Sequence, residues 1–194
     1  QSDKISWTVI AAPSKQWAQK VFSDLPEQEQ VEALWEAIFK ATRADLDNPV
    51  QAWAEHNDNL HEKVDYLNNK NYAKLHYTAP GTDLTIELPK GHLWCGAGSV
   101  NEKGEEFMAN MPTEEVFTVP HKNGVNGYVS STKPLSYGGN IIDNFKITFE
   151  NGRIINVEAE QGEEVLKNLV ATDEGSHYLG EVALVPFHSP ISES

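Results

Sequence analysis

At 194 residues the chain is long enough to bury a sizeable core, and its ordinary apolar content with five tryptophans argues against disorder. A formal net charge of −14 speaks against a nucleic-acid partner, and no apolar run approaches the roughly twenty residues of a membrane span or follows a basic start as in a signal peptide. The only cysteine, Cys95, excludes an intramolecular disulfide and fits a reducing compartment, so the expectation is cytoplasmic.

In chain order, "SWTVIAAP" (6–13) predicts a buried strand closed by Pro13. "SKQWAQKVF" (14–22) predicts a short helix with Ser14 as N-cap. "PEQEQVEALWEAIFKATRAD" places Pro26 near the first turn of a longer helix. Its apolar face is Val31, Leu34, Trp35, Ile38 and Phe39. A second long helix is predicted over 47–71, capped by Asp47 or Asn48, with Val50, Trp53, Leu60, Val64 and Leu67 as its stripe.

From Tyr72 the composition changes to short strands punctuated by Gly, Pro and Asn: "YAKLHYTA", "DLTIELP", "HLWCGAG", "EFMAN", "EVFTVP" and "GYVSS". Asn151-Gly152 marks a hairpin turn within 144–162, because both residues tolerate the positive φ that such a turn demands. A short helix follows over 162–172, with Glu163 and Glu164 in its first turn, where negative charge suits the helix dipole. "YLGEVALVP" (178–186) is the last strand. The fold expected is α+β: a helical segment over 1–70, then a mostly antiparallel β-rich region over 71–194 with one short helix. The chain opens on Gln1 almost directly with a strand and ends soon after another, so it is expected to be a section of a longer protein.

Several stretches carry candidate chemistry. His61 and Asp65 in "HEKVD" share a helix face four residues apart, as two metal ligands would; the competing reading is a solvated face. His56 lies off that face. Cys95 has His92 nearby, but residues three apart on a strand point to opposite faces, so a small buried core cysteine is the plainer expectation. "GAGSVNEKG" lacks the phosphate-loop pattern and reads as a turn. His121 reads as an exposed turn residue, with the edge of an active site as the alternative, and His188 just past the last strand carries no ligand role. The remaining candidate is a pair. Glu115-Val116 and Glu181-Val182 each set a glutamate at the start of an apolar strand that ends in Val-Pro. Two such strands side by side would converge two carboxylates on one cation; exposed strand starts are the alternative.

Taken together, "LWEAIFKATRAD", "AWAEHNDNLHEKVDYLN", "PGTDL", "HLWCGAGS", "NMPTEEVFTVPHK", "TDEGSHYLGEVALVP" and "SPIS" resemble the dinuclear metallo-aminopeptidases of the aminopeptidase T, AmpS and PepS type, and most of all the PepS-like enzymes. The resemblance runs over nearly the whole chain. It implies a metal-dependent aminopeptidase with two divalent ions (zinc, cobalt or manganese). A metal-bridging hydroxide would attack the first peptide bond of substrates with a free N-terminus. It also implies a homodimer.

Carried over onto this sequence, the "PTEEVFT" motif implies Glu115 as a metal ligand and "LGEVALVP" implies Glu181. The general base is left open among Glu115, Glu181 and Glu114. The other ligands the resemblance implies, two histidines, a tyrosine and an aspartate, are expected in a segment after "SPIS". A non-catalytic α+β interaction or dimerisation module is the alternative, and a parent chain without those four residues beyond Ser194 would select it.

Overall fold

The computed structural model describes residues 4–192. In chain order the elements are β1 (Val9–Ile10), α1 (Lys15–Val21), α2 (Glu27–Ala41), α3 (Pro49–Lys70), β2 (Lys74–Ala79), β3 (Thr82–Glu87), β4 (Cys95–Gly96), β5 (Ser99–Val100) and β6 (Glu106–Phe107). They continue as β7 (Asn110–Met111), β8 (Val116–Thr118), β9 (Val125–Ser130), β10 (Leu135–Tyr137), β11 (Asn140–Glu150), β12 (Arg153–Gln161), α4 (Glu163–Val170) and β13 (Val182–Leu184). This is the expected α+β class, with its longest helices in the first third and antiparallel strands dominating afterwards. The chain divides into two compact units, each assembled from several segments.

The first unit comprises Gln1–Tyr66, Trp94–Val116 and Ala183–Ser194. Ser14 caps α1, its hydroxyl accepting from the Trp17 amide at 3.2 Å, and Asn48 caps α3 by accepting from the Gln51 amide at 3.2 Å. Both caps sit where the sequence puts them. The expected apolar stripe of α2 is buried only at Leu34; Trp35 and Phe39 stack on each other at 5.2 Å and stay 38% and 42% exposed. They line an apolar recess of about 410 Å³ with Ile10, Val50, Trp53 and Met111.

The predicted buried strand over 6–13 is corrected. Only Val9–Ile10 pair, in parallel with β7, and both side chains are largely exposed. A single two-residue partner on one edge covers neither face of the strand, so its apolar sequence does not bury it. "GAGSVNEKG", expected to be a turn throughout, instead carries the end of β4 and the strand β5 (Ser99–Val100), and turns only at 102–104. Asn101 closes it, with Oδ1 accepting from the amides of Lys103 and Glu105.

The second unit comprises Leu67–Leu93 and Phe117–Val182. Its antiparallel sheet runs in the order β10-β11-β9-β3-β2, with β12 also paired to β11. Ile142, Val157 and Leu166 form its buried cluster, packed over by Phe145, Ile154, Leu169 and Val170 from the hairpin strands and α4. The β11–β12 hairpin turns at Asn151-Gly152, with φ of 49° and 83°. Gly152 has a second constraint, because a Cβ there would lie 1.8 Å from the Lys122 carbonyl oxygen. Gly152→Ala is therefore expected to destabilise the protein by about 2–3 kcal/mol, read as a lower urea midpoint at unchanged slope.

Candidate functional site

The stretch that carries the glutamate pair folds around Glu114. The helix α2 ends at Thr42, and Arg43 takes the left-handed conformation just past the end, at φ 57°. The Arg43 amide donates to the Lys40 carbonyl at 3.2 Å and the Ala44 amide to Phe39 at 2.8 Å, which is the two-bond helix end usually closed by glycine. A side chain in that conformation costs about 1 kcal/mol over glycine, yet the position holds an arginine. The structure shows what occupies it: Arg43 Nη1 and Nη2 both donate to the Glu114 carboxylate, the second at 3.1 Å.

Further contacts surround this ion pair. Ser189 donates its hydroxyl to Glu114 Oε2 at 2.8 Å. Arg43 Nη2 lies 3.3 Å from His56 Nδ1, and His56 Nε2 lies 2.7 Å from the Thr113 carbonyl. A guanidinium only donates, so Nδ1 accepts, and Nε2 carries the proton that goes to Thr113. Trp53, one helical turn before His56 on α3, lies under the guanidinium at 5.5 Å and donates its indole N–H to the Thr42 carbonyl at 2.6 Å. The Glu114 side chain is only 3% exposed. Burial pushes its carboxyl up, but the bonds from Arg43 and Ser189 outweigh this and hold it below the ordinary carboxylate range. Glu114 is thus a buried, ionised carboxylate whose two oxygens both accept hydrogen bonds from the protein.

Glu115 follows directly and is half-buried, whereas Glu181 is exposed at the start of β13. Glu115 belongs to the first unit and Glu181 to the second. Gly96 of β4 sits hard against this stretch: a Cβ there would be 2.8 Å from the Glu115 carbonyl oxygen and 3.0 Å from Val116.

Carboxylates suit a divalent cation in kind. In number they fall short, since no group of three or more His, Cys, Asp or Glu side chains arranged to hold a metal occurs among the described residues.

The other candidates separate from this cluster. His61 and Asp65 are exposed on α3, and His61 Nδ1 lies 3.0 Å from the Asn57 carbonyl, within its own helix. Cys95 is exposed in β4, which corrects the expectation of a core cysteine; the preceding Trp94 takes the buried side, and successive side chains of an extended chain face opposite ways. His92 is buried, with Nδ1 on the Pro89 carbonyl at 3.0 Å. His121 is exposed in a turn that its own carbonyl closes with the Gly124 amide. His188 is exposed, edge-on to Phe187. Sequence reasoning missed Arg43, His56 and Ser189. The one local signal was Arg43, an arginine where a helix end favours glycine.

Comparison with known proteins supplies the family. The thermophilic metalloprotease (M29) family matches residues 1–194. "Aminopeptidase AmpS" of Bacillus subtilis is 70% identical over all of the chain and "Aminopeptidase PepS" of Streptococcus thermophilus is 55% identical. The solved structure of wild-type AmpT from Thermus thermophilus superposes with a TM-score of 0.90 at 48% identity, covering 96% of this chain and 46% of that one. The chain spans 47% of the length of the AmpS and PepS relatives. No helix among the described residues is long and apolar enough to cross a membrane. With all 194 residues matched and this level of identity, the chain belongs to the thermophilic metalloprotease (M29) family.

Proposed function

We propose that this chain is part of a metal-dependent aminopeptidase that removes the N-terminal residue of peptides. The observation that carries this reading is the match of the entire chain to a metalloprotease family whose relatives here are named aminopeptidases. Glu115 and Glu181 are the metal ligands this chain supplies, and two divalent ions, zinc, cobalt or manganese, are the cofactors. When bound, the metal supplies Lewis-acid activation of water and of the scissile carbonyl. The chain's own residues supply anionic donors at two strand starts, while Arg43 and Ser189 hydrogen-bond the neighbouring Glu114. The general base is one of Glu115, Glu181 and Glu114. The full-length protein acts as a homodimer in the cytoplasm.

The ligand count makes the reading testable. A catalytic zinc takes about three protein ligands and keeps one position open, and the described residues offer no such set. The purified 1–194 chain is expected to bind Zn²⁺ or Co²⁺ weakly and to leave Leu-p-nitroanilide uncleaved, whereas the full-length protein cleaves it. Turnover by the 1–194 chain, or a full-length protein that neither binds metal nor cleaves the substrate, would overturn the proposal.

A further inference from the structure

The cluster around Glu114 joins three distant stretches of the first unit. Arg43 comes from the end of α2, His56 from the middle of α3, and Ser189 from the last described turn. All three converge on the two residues immediately before Glu115: Arg43 and Ser189 bond the Glu114 side chain, and His56 bonds the Thr113 carbonyl. On the other side, Gly96 admits the Glu115–Val116 backbone at a distance no side chain would allow.

We propose that Arg43, Glu114 and Ser189, together with His56, are a positioning clamp that fixes the backbone from which Glu115 presents its carboxylate. Glu114 then acts through Glu115 and touches neither substrate nor metal. The inference rests on the reading of Glu115 as a ligand. Burial alone asks only for a satisfied carboxylate, and one bidentate arginine would do that. Three anchors on two consecutive residues restrain the chain more tightly than satisfaction requires. The arginine also sits at a helix end where glycine would be unstrained.

The test uses the full-length protein. Zn²⁺ affinity is measured by chelator competition below the melting temperature, alongside the visible spectrum of the Co²⁺ form. Glu115→Gln is expected to lose affinity by more than about 100-fold. Glu114→Gln and Arg43→Gly are expected to lose about 10- to 100-fold, the scale for outer partners of a metal ligand, and to shift the Co²⁺ bands. Arg43→Gly is informative because it relieves the helix-end strain while emptying the clamp.

Folded Glu114→Gln with wild-type affinity and spectrum, beside a defective Glu115→Gln, would overturn the clamp and leave the ligand reading standing. Wild-type metal binding by Glu115→Gln would remove the ligand reading, and the clamp with it. A larger loss in Glu114→Gln than in Glu115→Gln would make Glu114 itself the ligand. Should Glu114→Gln fail to fold, Ser189→Ala removes a single bond, and an unchanged affinity and spectrum there overturns the clamp equally.

Discussion

Glu115→Gln in the full-length protein is expected to abolish hydrolysis of N-terminal residues and to lower the metal content of the purified enzyme, with little change in thermal midpoint. Glutamine keeps the size of the side chain and removes its charge, so the substitution separates ligation from packing. A neutral amide is a poor ligand for a divalent cation that a carboxylate holds at full charge. Glu115 is only half-buried, so the amide leaves no polar group stranded in the core. Unchanged activity and metal content, measured together, would take Glu115 out of the site.

Arg43→Met is expected to have the largest effect on stability. It leaves the Glu114 carboxyl nearly inaccessible and without its bidentate partner. Breaking a buried ion pair on one side typically costs about 3–5 kcal/mol, whereas replacing both partners with apolar residues is often neutral. The double variant Arg43→Met with Glu114→Leu is therefore expected to recover most of the lost thermal midpoint. A double variant as unstable as Arg43→Met alone would show that the cost lies in lost packing over Trp53 and not in the stranded carboxylate.

Local chemistry determined much of this protein. Caps at Ser14 and Asn48, the positive-φ turn at Asn151-Gly152 and the acidic first turn of α4 depend on residues within one turn of each other, and each forms as its residue types dictate. The α+β class follows from the change of period near residue 70.

Burial was decided by tertiary structure, because it depends on what covers a face. Val9 and Ile10 have the composition of a core strand and remain exposed beside a two-residue partner; Trp35 and Phe39 have helical core spacing and line an open recess. The division of labour between Glu114 and Glu115 is of the same kind. In the sequence they are identical neighbours. Only folding brings Arg43, from 71 residues away, and Ser189, from 75, onto the first of them. Glu114 is thereby committed to an ion pair with Arg43, and no spacing along the chain encodes that choice.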